Sequence, residues 1–571
     1  MPSVPSPSDE PVQAMTTAHT HERADAPVRQ GPPRRHPAPP SRPAWRRWAN
    51  PRRPVVAATA AAAVLHLVWA LLLATEGGDL AAQAAWTDFT WAHPDAAYNF
   101  AWYGGMHPAS YSVLSPHLMA LFGIRTVAVV TGTVSAALTA HLLRRFRAPV
   151  ALPASLWAAF ALVCNAASGR TTFGLGLMFA LMATIAAFTP RGTPALRAAA
   201  MTGLSLLASL ASPVAGLFLL VLAAALFVTG RRRAGICVAV GLPLVVGTTS
   251  LLFPFDGIQP IALTTIVLPA VTSVIAVLTC APKNWTFIRV CAGIYLTGII
   301  LTWLIPSPVG SNVERLSLLF GGMFLLSAVA RAQGRLRIAV LSLAFIVTAS
   351  WQVVKPVDDL IHTEPADEAA VHASGLITEL KELGADTGRI EVVPLRSHWE
   401  SSGMSRHFIL ARGWNRQVDA ERHELFYEDG ALTPDSYRDW LHRWAVQYVA
   451  LPEQEADWSA QEESALVAKD LPYLTEIWQD EHWRLFRVLR ATPLVDRPAS
   501  VHALDAGKLV VDMPSPGSVL MRVQWSPWLR VAGGDACLSR DGDFVRLEAG
   551  TPGRYTVSAP YGLKRGDACD R

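Results

Sequence analysis

Carboxylates are scarce in the apolar half of this 571-residue chain, and one of them stands where chemistry could be done. Asp79 comes only a few residues after an apolar run, behind Gly77 and Gly78. A charge so close to lipid costs energy unless a partner or water meets it. A carboxylate in that place can take a proton from a hydroxyl. It can also cap a short helix, here Leu80 to Thr87, and the two roles are compatible. The surrounding stretch, Glu76 to Pro116, adds Glu76, Asp88, Asp95, His93 and His107, with the rings of Trp86, Trp91, Tyr98, Trp102, Tyr103 and Tyr111. Rings gather at membrane boundaries for their own reasons. That preference covers most of these aromatics and none of the carboxylates.

Two arginines supply the opposite charge. Arg315 ends the polar segment Pro306-Ser-Pro-Val-Gly-Ser-Asn-Val-Glu-Arg315, and Arg170 follows Asn165-Ala-Ala-Ser-Gly169. A guanidinium is well shaped to hold a phosphate. Asn312 and the turn at Gly310 make the first segment unusually polar for a short connection, which favours a binding role for Arg315. A side chain snorkelling to the interface accounts for Arg170. His66 and His117 fall on apolar stretches and receive no role. Further on, His398, Glu400, Asp419 and His423 lie near Arg412-Gly-Trp-Asn-Arg416, which reads as an ordered packing loop. No nucleophile elbow, phosphate loop or metal-ligand spacing occurs.

The elements that must position these groups are mostly membrane spans. About eleven apolar runs fit the rule that ~20 apolar residues cross a bilayer: 54–75, 114–143, 149–165, 171–189, 196–211, 213–229, 234–253, 259–281, 288–305, 314–330 and 336–354. Ser212-Pro213 divides 196–229. With that division, the Arg and Lys clusters at 144–147, 191–197, 231–233, 283–289 and 331–337 all fall on one side, and the positive-inside rule makes that side cytoplasmic. The amino terminus is then cytoplasmic and the carboxyl terminus outside, in a multi-pass protein of the cell membrane. The spread of basic residues around apolar runs excludes a nucleic-acid-binding stripe.

The expected order is a disordered basic, Pro-rich arm at 1–48, a helical membrane domain at 49–354 with a long external loop at 76–113, an external α/β domain at 355–494, and a small β-sandwich-like module at 495–571. Low aliphatic content predicts the disorder of the arm. About 35 of the 45 acidic residues lie beyond Trp351, so the two halves differ in charge as well as hydropathy. Helices are expected at Glu368–Leu383, Ser436–Trp444 and Ala460–Asp470. Strands are expected at Arg389–Pro394, Gln447–Leu451, Trp483–Leu489, Lys508–Asp512, Val519–Gln524, Phe544–Leu547 and Tyr555–Ser558. Of the six cysteines, Cys164, Cys237, Cys280 and Cys291 belong to apolar segments. Cys537 and Cys569 can form a disulfide if their module lies outside the cytoplasm.

This layout resembles the GT-C class of polytopic glycosyltransferases. The residues that carry the resemblance are Gly77-Gly-Asp79-Leu-Ala-Ala-Gln83 and Tyr98-Asn-Phe-Ala-Trp-Tyr-Gly-Gly-Met-His-Pro108; beyond them it is architectural, over 54–354. The Ala/Arg/Pro bias is similar to that of actinobacterial membrane proteins. The resemblance implies transfer of a sugar from a polyprenyl-phosphate donor to an envelope glycan or lipid acceptor. Asp79 would be the catalytic base, and no nucleotide would be needed. It also implies a second acidic residue, for which Glu76, Asp88 and Asp95 compete, and with it the option of a divalent metal. Arg315 would hold the lipid phosphate, Asn312, Glu76, Asp88, Tyr103 and His107 would touch substrate, and loop aromatics would stack on sugars. The competing readings are a transporter, against which stand the lack of an inverted repeat and of coupling charges, and an envelope scaffold without activity.

Overall fold

The computed structural model describes residues 53–73, 77–254, 257–259, 261–279, 285–363, 367–562, 565–566 and 568–569. The arm at 1–48, Glu76 and Cys280 lie outside them.

Among the described residues, eight helices are long and apolar enough to cross a membrane, the first at Arg53–Leu73 and the last at Arg335–Asp358. Three shorter apolar helices, Ala151–Ala167, Pro213–Val228 and Leu263–Thr279, lie among them. The chain is therefore a multi-pass membrane protein in contact with the bilayer. Small residues let the helices approach: a Cβ on Gly176 would stand 2.8 Å from Ala215 and Ser212. The helix Pro194–Ala211 stops at Ser212, and Pro213 opens the next one. The last apolar helix, expected to end at 354, continues through Pro356 to Thr363. That extension matters because it carries Lys355.

The stretch 76–113 is a loop only in part. Gly78–Ala92 is a 15-residue helix. Its continuation reaches into both soluble regions through backbone hydrogen bonds: Leu410 N donates to Ala101 O, Phe100 N to Ala506 O, Gln524 N to Gly104 O and Ala97 N to Ala559 O, each at 2.8 Å. Trp86, Tyr98, Trp102 and Tyr103 are all but fully buried, in one core with Leu376, Ile390 and Met521. Rings expected to face sugars are thus interior packing. Each buries on the order of 200 Å², roughly 5 kcal/mol of gross apolar stabilisation before entropy.

Beyond the helices comes a mixed α/β region, then a β-sheet region. Five strands, β1 (Arg389–Val392), β2 (Ile409–Leu410), β3 (Val446–Pro452), β4 (Leu474–Gln479) and β5 (Trp483–Val488), form one sheet in the order β2-β1-β3-β5-β4. β1 runs parallel to β2 and β3, while β5 is antiparallel to β3 and β4. The helix expected over Glu368–Leu383 is two, Asp367–Val371 and Ser374–Glu382, with Ala369, Leu376 and Leu380 buried. Thr433 and Ser436 form a capping box at the start of Pro434–Arg443.

A charged cluster is sealed inside this layer. Arg412 bonds Asp419 at 3.0 and 2.6 Å and Glu463 at 2.8 Å. Tyr437 donates to Glu463 at 3.0 Å. Burial, then the charge of Glu463, pushes Glu391 well above the carboxylate range, so it stays protonated beside the cluster.

The last region has a four-stranded sheet and a three-stranded sheet. The first contains β6 (Ser500–Leu504), β7 (Lys508–Met513), β9 (Arg530–Ala532) and β12 (Gly553–Ser558); the second contains β8 (Gly517–Gln524), β10 (Ala536–Asp541) and β11 (Phe544–Ala549). Alternate residues such as Val519, Met521 and Val523 of β8 and Leu509 and Val511 of β7 meet in one core. Cys537 and Cys569 are joined.

Candidate functional site

Two glycine turns pressed together place the first two site residues. The helix Ala151–Ala167 ends in a turn whose Gly169 has φ +68°. A Cβ there would lie 2.7 Å from Leu80 N, and one on Gly77 would lie 2.7 Å from Ala167 O. Only glycines allow this approach. Gln83 then fastens the turns. Its amide nitrogen donates to Gly169 O and, at 3.0 Å, to Asp79 O; its oxygen accepts from Thr172 N at 3.0 Å and Thr172 Oγ1 at 3.1 Å. Asp79 therefore sits in the first turn of Gly78–Ala92, where the helix dipole favours a carboxylate. Gly77 holds the cap position that the sequence suggested for Asp79 itself.

Arg315 arrives from far along the chain. A 3-10 turn, Gly310–Glu314, leads into the helix Arg315–Val329. Arg315 Nη2 donates to Asp79 Oδ2 at 3.0 Å, and its guanidinium lies over the Phe173 ring, 5.4 Å from the centroid. Arg170 Nε is 3.8 Å from the same carboxylate oxygen. The two arginine side chains are 13% and 15% exposed, against 39% for Asp79. The carboxylate thus opens to a space that the arginines back.

That space is a cavity of about 400 Å³. Asp79, Arg170, Arg315 and Lys355 line it. Tyr111 lines it as well, its phenol lifted to about 12 by burial and then by the charge of Asp79, so it remains a donor. Asn312 joins a chain of amides: its Nδ2 donates to Gln259 Oε1 at 2.9 Å, and Gln417 Nε2 donates to the same oxygen at 3.1 Å.

Gln417 belongs to a wall supplied by the soluble region, Trp414 to Gln417. His398 stacks on Trp414 with ring centroids 3.6 Å apart and planes 12° from parallel. Arg416 bonds Asp457 at 2.8 Å and Ser459 at 2.7 Å. His398 lies 3.7 Å from Glu400 and 3.6 Å from Asp457. Burial alone would lower its pKa, but the neighbouring carboxylates of Asp457 and Glu400 outweigh that and raise it. Tyr103 supports the wall from behind: its hydroxyl accepts from Asn415 N at 2.9 Å.

The sequence-derived residues therefore divide. Asp79, Arg315 and Asn312 share the cavity. Tyr103 is fully buried and reaches it only through Asn415. His107 is held between Ala97 O at 2.7 Å and Ser526 Oγ at 2.8 Å, with its pKa drawn down to about 4 by burial, and it faces a different cavity. Asp88 pairs with Arg406 on an exposed surface. Glu76 lies outside the described residues. Arg170, Lys355 and Trp414 complete the cavity, and the sequence assigned none of them there. Among the described residues, Arg170, Arg315, Lys355 and Arg416 outnumber the carboxylates Asp79 and Glu314 in this cavity.

Residues 496–571 match a family model described as a domain of unknown function, DUF8823. No curated protein matches the chain.

Proposed function

We propose that this protein transfers a sugar from a polyprenyl-phosphate donor to an envelope acceptor, with the reaction in the Asp79 cavity. The observation that carries the reading is Asp79 facing Arg315 and Arg170 in one cavity at an end of the helical bundle. Arg315, Arg170 and Lys355 outnumber Asp79 and Glu314 there, which suits a phosphodiester. Asp79 takes the acceptor hydroxyl proton as that oxygen attacks the anomeric carbon. The bond from carbon to phosphate oxygen breaks, and the leaving phosphate's charge falls on the arginines. The sugar inverts.

Arg315 has two competing partners in this scheme. While it bonds Asp79, it occupies one of the carboxylate oxygens. A phosphate that draws Arg315 away frees that oxygen to accept the acceptor's proton. The membrane part spans eleven times in this proposal, with the amino terminus cytoplasmic and both soluble regions outside; the distribution of Arg and Lys supports that orientation. The test is transfer by purified protein in lipid nanodiscs, from a radiolabelled polyprenyl-phosphate sugar to envelope lipid or glycan fractions. Label appearing in acceptor is expected. Label remaining in donor across all fractions overturns the proposal.

A further inference from the structure

A larger cavity, about 700 Å³, adjoins the first. Ser110 lines both. Two chain segments pass from one wall to the other: Phe253 faces the first cavity and Pro254 the second, and Gln417 faces the first and Val418 the second. The second space is built by the arm that carries His107, the soluble helices that carry Arg422 and Trp440, and the C-terminal β module, which contributes Gln524 to Pro527, Arg540 and Asp543.

Its chemistry differs from that of the Asp79 cavity. Arg422, Arg443 and Arg540 are matched by Glu421, Glu424 and Asp543. Arg443 pairs directly with Asp543, and Arg422 is occupied by the carbonyls of Tyr103 and Gly105 at 2.7 and 2.8 Å. His107 and His423 are neutral, burial having lowered them to about 4 and about 3. A space without net charge does not select a phosphate. It does offer the partly buried indole of Trp525 and the guanidinium groups of Arg443 and Arg540 at its rim. A ring with an apolar face and hydroxyls at its edge matches this set.

We infer that the second cavity is a binding cleft for a neutral glycan chain. Resting on the proposed function, this chain is the acceptor, and its terminal hydroxyl reaches the Asp79 cavity past Ser110. The C-terminal module then has a stated task, as one wall of the cleft.

The test uses full-length protein in nanodiscs on an array of neutral, phosphorylated and uronic oligosaccharides. Neutral members are expected to bind. Trp525→Ala should weaken them by about tenfold or more, and Arg540→Glu, at an exposed rim position, should also weaken them. Gly403→Ala, which lines neither cavity and leaves room for its Cβ, should bind like wild type. Signal no higher than that of empty nanodiscs, preference for the charged members, or wild-type binding by both cleft variants overturns the cleft. If neutral glycans bind but no sugar is ever transferred, the cleft stands and its acceptor role falls with the transferase reading.

Discussion

Arg315 donates to Asp79 across 236 positions of sequence, and both side chains line one cavity. The pair joins the start of one membrane-length helical segment to the first turn after another. Replacing Arg315 by Gln keeps a donor but removes the charge. Transfer should fall by on the order of 10²-fold, the scale for losing one donor to developing charge. Arg315→Lys should recover only part of it, because a point charge cannot hold both Asp79 and a phosphate in the same plane. Single-turnover rates check this.

The legibility of the site followed from scarcity. In the apolar half each carboxylate stands out, so Asp79 was visible, and the polar run up to Arg315 marked a second position. Arg170 was not visible, because an arginine at a span end is explained by snorkelling until the Gly77–Gly169 contact turns it toward Asp79. Lys355 was hidden by the end expected for its helix. Trp414 reaches the cavity only through folding of a distant region, and no periodicity encodes that. The loop aromatics misled for a related reason. An aromatic-rich polar stretch reads the same whether it faces sugars or lies beneath another layer, and here Trp86 and Trp102 lie beneath one. Strands with alternating burial, such as β8 and β11, were legible, while β4 was missed because its burial pattern has no such period.

Gly169→Ala tests the turn that sets Arg170 beside Asp79. A side chain at φ +68° costs about 1–2 kcal/mol, and the added Cβ meets Leu80 N. Melting temperature in detergent and transfer should both fall. Gly403→Ala, where a Cβ meets nothing within 4 Å, should leave both unchanged.

His398 should give the cavity wall a pH dependence. Its pKa in the folded chain is raised above the ordinary 6.5. The stabilisation it supplies is then complete below about 6.5 and is lost as pH rises through the raised value. Protein melting temperature should decline over that interval. His398→Gln should flatten that part of the profile.

Cys537 and Cys569 close a loop with a sequence separation of 32. Opening it should cost the C-terminal module about 3–4 kcal/mol on the chain-entropy scale. Neither cysteine should accept an alkylating reagent before reduction, and reductant should lower the melting temperature. Free alkylation of both in protein taken directly from membranes would contradict the outside placement of this module.

The central claim rests on Asp79 as the proton acceptor. The direct measurement is the rate of transfer from a polyprenyl-phosphate sugar by purified Asp79→Asn, set against wild type at saturating donor. The substitution is nearly isosteric and keeps a hydrogen-bond acceptor for Arg315, so donor binding should persist. Transfer should fall by about 10²-fold or more, the range assigned to a general base. A variant that transfers at the wild-type rate would contradict the account.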